Sequence, residues 1–142
     1  MILPDLSLLL YAYNSHAPQY EKAHQWWTSV VNGSELIGLP HEILFGFVRI
    51  ATHQKLGAAA VELSLARSTV EEWTSLPQSR ILLPSPTHWQ TVMDLMGAAQ
   101  ASGAVLSDAV LAAYAIENRA TLCSNDADFS RFQGLGWENP LT

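Results

Sequence analysis

The sequence predicts an α/β fold, a three-layer α/β/α sandwich built on a central parallel sheet. Three observations carry this. Short apolar runs alternate with longer amphipathic stretches, the pattern of βαβ units. Pro, Gly and an Asn-Gly pair punctuate the transitions. The segments between successive strands are long enough for right-handed crossovers.

Taken in order, Ile2 to Pro4 reads as a first strand that ends at Asp5, and Leu6 to Tyr13 as a helix. Pro18 opens a second helix, at a position where its missing N–H is no loss. Ala23, Trp26, Trp27, Val30 and Val31 form its apolar stripe, and Asn32-Gly33 stops it. Leu36 to Leu39 is a second strand. Pro40 begins a helix that runs to about Thr52, and Gly57 marks a break. Ala58 to Leu76 reads as a long helix ended by Pro77. Ile81 to Leu83 is a third strand, closed by Pro84 and Pro86. Thr87 caps a helix through about Ala101, and Gly103 terminates it. Ser107 caps the next helix, Asp108 to Asn118. Leu122 and Cys123 lie in a fourth strand, Asn125 to Arg131 in a loop or short turn, and Trp137 in a minor fifth strand.

The 142 residues suit one domain with one core, spanning 1–142. Apolar residues make up 49% and charged residues 14%, which excludes disorder. The single Cys123 permits no internal disulfide and gives no sign of an oxidising compartment. No run approaches the ~18 apolar residues of a membrane span. The apolar start follows Asp5 rather than a basic segment, against a secretory signal. A soluble, cytoplasmic protein without membrane contact is expected.

The net charge is −6, from 13 acids against 7 Lys plus Arg. A nucleic-acid protein is usually basic. Setting aside Asp5, Glu42, Asp108, Asp126 and Asp128 leaves 8 acids against 7 bases, which is nearly neutral. Those five acids are informative because of where they fall. Asp5 ends the first strand, Glu42 stands just beyond the second, and Asp108 opens a helix. Asp126 and Asp128 follow the fourth strand. In open parallel sheets, ligands bind outside the carboxyl ends of the strands, at a switch in strand order. Carboxylates gathered there repel and raise one another's pKa. The usual resolution is a hard cation such as Mg²⁺ or Mn²⁺. No His/Cys set has zinc spacing. Each acid alone also has an ordinary role: Asp5 as a helix cap, Asp108 beside a helix dipole, Asp126 and Asp128 as turn residues.

Four blocks in order then carry a resemblance over nearly the whole chain: Ile2-Leu3-Pro4-Asp5-Leu6-Ser7, Pro40-His41-Glu42 running on to Gly46 and Arg49, Leu106-Ser107-Asp108-Ala109, and Cys123-Ser124-Asn125-Asp126-Ala127-Asp128-Phe129. Together they resemble the PIN-domain family, and the ending Gly134 to Leu141 is similar to its VapC toxins. The resemblance implies a parallel sheet of order 3-2-1-4-5. It implies an Mg²⁺- or Mn²⁺-dependent endoribonuclease that cleaves RNA phosphodiesters by metal-activated water. It further implies a homodimer and inhibition by a VapB-type antitoxin. The family's acidic set falls on Asp5, Glu42, Asp108 and Asp126, with Asp128 accessory. Ser7 stands where many relatives have Asn, and either side chain can hydrogen-bond to a carboxylate, water or phosphate.

Around that set, Ser7, Ser124 and Asn125 are candidates for supporting hydrogen bonds. Arg49, two helical turns after Glu42, is expected either to hold a phosphate or to pair with a pocket acid. Trp26 and Trp27 cannot face the same way, so one is expected in the core and the other against a partner. The five histidines show no site spacing. A receiver domain would need a lysine near a late strand, and the two lysines, Lys22 and Lys55, lie early. A binding module without catalysis and a nuclease acting on DNA or structured RNA are the other readings.

Overall fold

Five strands of three or four residues pair in the order β3-β2-β1-β4-β5, all parallel. They are β1 (Ile2–Pro4), β2 (Ile37–Pro40), β3 (Ser79–Leu82), β4 (Thr121–Cys123) and β5 (Gly136–Glu138). The helices are α1 (Leu6–Tyr13), α2 (Tyr20–Val31), α3 (His41–Ala51), α4 (Leu63–Ser75), α5 (His88–Ala98) and α6 (Leu106–Glu117). The computed structural model describes residues 1–142. Both the sheet order and the α/β architecture are as the resemblance implied.

The central strand is continuously apolar because both its faces are covered. Ile2, Leu3 and Pro4 are all buried. From β1 the chain crosses first toward β2 and β3, and later to β4 on the other side. The strand order therefore reverses between β1 and β4. Ile2, Leu3 and Pro4 lie in register with Thr121, Leu122 and Cys123. The backbone N–H of Asp5 extends the pairing by donating to the Cys123 carbonyl at 2.8 Å.

Small residues bring the helices close to this frame. In α6, Ala109, Ala112, Ala113 and Ala115 are buried together with Leu111 and Tyr114. In α3, a Cβ at Gly46 would lie 2.7 Å from a Leu6 methyl, so glycine there lets α3 press against the start of α1. These contacts bring the first turns of α3 and α6 to the edge where β1 ends.

Several boundaries differ from the sequence expectation. Helix α2 starts at Tyr20 rather than Pro18, because Pro18 sits in a turn closed by Tyr20 N–H to the Ala17 carbonyl. The helix expected from Ala58 begins only at Leu63. Gln54–Ala59 forms a 3-10 turn kinked at Gly57, whose φ of +58° breaks the helical path. The third strand covers Ser79–Leu82 rather than Ile81–Leu83, with Ser79 and Arg80 paired to Ile37 and Gly38. Helix α5 ends at Ala98, short of Ala101. Ser107 lies inside the first turn of α6 rather than capping it.

The two adjacent tryptophans separate as their spacing requires. Trp27 is buried in the main core, while Trp26 is half-buried beside Leu141. Trp26 and Leu141 line one open surface pocket with Lys22 and Gln25. Trp27 Nε1 and Trp73 Nε1 both donate to the Tyr13 hydroxyl, at 3.2 and 2.8 Å. One phenol thereby satisfies two buried indoles, and burying such donors without a partner costs about 1–3 kcal/mol each. Tyr13→Phe is expected to lower stability by about 1–3 kcal/mol in urea unfolding. An unchanged midpoint would mean that water reaches both indoles.

Candidate metal centre at the carboxyl edge of the sheet

Asp5 leaves β1 with extended φ/ψ and occupies the N-cap position of α1, but its side chain caps nothing. Instead its Oδ2 accepts from Ser7 Oγ at 3.0 Å and from Ser124 Oγ at 2.7 Å. Ser124 is fully buried. Its hydroxyl oxygen also accepts from the Asp126 N–H at 3.0 Å. A single serine thus ties the carboxylate beyond β1 to the backbone beyond β4. The Ser124 peptide is fixed in turn by β5: its N–H donates to the Glu138 carbonyl, and its carbonyl accepts from Trp137 Nε1, both at 3.0 Å.

Asp126 caps the 3-10 turn Ala127–Arg131, its Oδ1 accepting from the Asp128 N–H at 2.9 Å. Its other oxygen has no such commitment. Asp128 is exposed and lies 3.5 Å from Arg131 in a surface pair. Asp108 is half-buried in the first turn of α6. Burial raises its carboxyl above the ordinary 3.8, and the negative charges of Asp5, Asp126 and Asp128 push it further the same way. Arg131 opposes them only in part. Asp5, Asp108, Asp126 and Asp128, from three separate stretches of chain, therefore share one electrostatic neighbourhood.

Glu42 lies in the first turn of α3 and is exposed. Both its oxygens take up the hydroxyl of Tyr114, at 3.1 and 3.0 Å. Burial, that contact and the charges of Glu42 and Glu117 push the Tyr114 phenol up to about 12, so it remains a donor. The sequence reading missed Tyr114. The available signal was a hydroxyl-bearing aromatic within the otherwise apolar Leu111–Ile116 stretch.

Arg49 forms no ion pair with a pocket acid. It is exposed on an apolar groove between α3 and α4, beside Phe45, Val48 and Leu63. Asn125 is half-buried between Ser124 and Asp126. No three His, Cys, Asp or Glu side chains stand close enough to ligate one ion as they are arranged. The donor chemistry nevertheless fits a hard divalent cation. The groups are carboxylate oxygens with uncompensated negative charge, and they are aimed by hydroxyls rather than neutralised by lysines.

The PIN-domain family model matches residues 2–135. The chain belongs to the PIN-domain family. Within that family it is 42% identical over 141 residues to Ribonuclease VapC33 of Mycobacterium tuberculosis, covering 99% of each chain. It is 32% identical to Ribonuclease VapC43 of the same organism, covering 99% of this chain and 96% of that one. Among solved structures, VapBC2 from Rickettsia felis bound to a promoter DNA fragment matches with TM-score 0.70 at 18% identity, covering 98% of each chain. VapBC-1 from nontypeable Haemophilus influenzae matches with TM-score 0.66 at 13% identity, covering both chains fully. These structures share the PIN fold.

The raised Asp108 carboxyl fixes the sign of a pH effect. Between 3.8 and its folded value, the folded chain holds more proton than the unfolded chain at this site. Its contribution to stability therefore falls as pH rises through that window. Without added metal, Asp108→Asn is expected to raise the melting temperature at pH 7, and the gain should vanish below pH 3.8. A lower melting temperature for the variant at pH 7 would contradict the repulsion described here.

Proposed function

We propose that this chain is a divalent-metal-dependent endoribonuclease of the VapC type, the toxin half of a toxin–antitoxin pair, folded as a single domain over 1–142. The observation that carries this is geometric: the Ser124 hydroxyl donates to Asp5 at 2.7 Å and accepts from the Asp126 N–H at 3.0 Å, so acids from opposite ends of the sequence meet beyond β1 and β4. The names of the relatives support the class of reaction, since ribonucleases align with this chain at 42% and 32% identity along its length.

Asp5, Asp108 and Asp126 would hold Mg²⁺ or Mn²⁺, with Glu42 completing the set and Asp128 accessory. When bound, such an ion lowers the pKa of a water and offsets charge on the phosphate. The chain's own contribution is orientation. The Ser7 and Ser124 hydroxyls hold Asp5 by one oxygen and leave the other free. The Asp128 N–H does the same for Asp126. Glu42 would orient the attacking water or bind a second ion. Arg49, exposed and unpaired, would meet an RNA phosphate outside the acidic edge.

An apolar groove of about 490 Å³ runs along α1, α3 and α4, lined by Leu10, Tyr11, Phe47, Ile50, Val61 and Leu65. It suits an apolar segment of a VapB-type antitoxin. The solved neighbours are themselves VapBC assemblies. The homodimer would bury exposed apolar surface such as Phe45, 70% exposed beside Val48 and Leu63. The proposed site of action is the cytoplasm. No helix is long and apolar enough to cross a membrane.

Purified protein incubated with RNA should cleave it in Mg²⁺ or Mn²⁺ and stop in EDTA. Asp5→Asn and Asp126→Asn should each reduce cleavage by more than about 100-fold, beyond the range typical of residues that only support a metal ligand. Undiminished cleavage by Asp5→Asn, or cleavage that persists in EDTA, would overturn the proposal.

A further inference from the structure

Four polar side chains outside the acidic edge, Tyr114, His88, Glu117 and Ser85, connect to Glu42 by successive contacts. The Tyr114 hydroxyl reaches both Glu42 oxygens. The His88 ring packs on the Tyr114 ring with centroids 4.5 Å apart. His88 Nδ1 lies 3.0 Å from each oxygen of Glu117, and Ser85 Oγ donates to Glu117 Oε1 at 2.9 Å. His88 and Glu117 are 15% and 11% exposed at the side chain, so the pair is largely withdrawn from water.

Polar groups buried this far destabilise a core unless each finds a partner, and replacing such a pair by apolar residues is often neutral or stabilising. Core packing alone therefore does not account for this arrangement. Its outer end supplies a reason. A glutamate in an exposed first turn has three side-chain torsions to order. The Tyr114 phenol, at 3% exposure and with its ring against His88, is a fixed point by comparison. Each carboxylate oxygen has two lone pairs, so a bond to the phenol leaves capacity for a cation or water.

We infer that Tyr114 is a positioning residue that fixes the Glu42 carboxylate at the acidic edge, and that His88, Glu117 and Ser85 hold the phenol in place. This rests on the reading of Glu42 as part of the metal centre. Removing the hydroxyl leaves the ring packing intact and frees the glutamate to turn away. The loss then appears in metal binding rather than in folding.

The test is Tyr114→Phe in the full chain, beside Glu42→Ala, the double variant and Asp5→Asn. Mn²⁺ affinity is read by electron paramagnetic resonance of free Mn²⁺, RNA cleavage against metal concentration, and folding by thermal melting. Tyr114→Phe should melt within a few degrees of the parent, yet bind Mn²⁺ about tenfold more weakly and need about tenfold more metal for half-maximal cleavage. In the Glu42→Ala background the same change should add nothing, because the two groups act as one unit. Mn²⁺ affinity within twofold of the parent, or losses that multiply in the double variant, overturns the inference. If Tyr114→Phe does not fold, His88→Ala, which removes the ring packed on the phenol, decides instead, with parental Mn²⁺ affinity the overturning result. Full cleavage by Asp5→Asn would overturn the nuclease reading, whereas the Mn²⁺ measurements still decide whether Tyr114 and Glu42 are coupled.

Discussion

The parallel register of β1 against β4 is the constraint on which the acidic edge depends. Strands β1 and β4 run side by side to Pro4 and Cys123, and then the chain turns away in two directions. Asp5 and Asp126 emerge from that divergence, and the first turn of α6 brings Asp108 to the same edge. Unscreened like charges at short range are costly in a partly buried setting. The positions of these acids follow from backbone geometry: the strand register, the alanines that seat α6 and the glycine that seats α3.

The way these acids are held is as informative as their proximity. A fold that needed only stability would set an arginine or lysine beside each one. Instead Asp5 takes two serine hydroxyls, Asp126 takes a backbone N–H, and Glu42 takes a phenol. Neutral donors fix direction while leaving the formal charge in place. The one basic neighbour, Arg131, pairs at the surface with Asp128, the most peripheral of the group. Orientation and neutralisation are thus handled by different residues, and the second is left incomplete.

Much of this was legible in the chain. The buried strands announced themselves as short apolar runs, and the acids stood immediately after them. What stayed hidden was decided by contacts remote in sequence. The start of β3 is polar because Ser79 and Arg80 lie on an edge strand, so hydropathy pointed two residues too late. The run Ala58-Ala59-Ala60 favours a helix by intrinsic propensity, yet Gly57 at positive φ and the bond from Val61 N–H to the Ala51 carbonyl hold it in another path. Glu42 and Tyr114 stand 72 residues apart, and no local periodicity links them. His88 looked like one of five unremarkable histidines until the fold set it against Glu117.

Strand β5 carries a consequence for the order in which the molecule is made. Its indole and carbonyl grip both sides of the Ser124 peptide, and Ser124 in turn aims Asp5. Of the five strands, β5 is the last to leave the ribosome, well after Asp5, Glu42 and Asp108 have been synthesised. A nascent chain therefore carries most of its acids long before it has the clamp that aligns them. Alignment of the acidic edge therefore waits until the last strand of the sheet has been made, and a truncated product lacking β5 would keep the charges without their alignment.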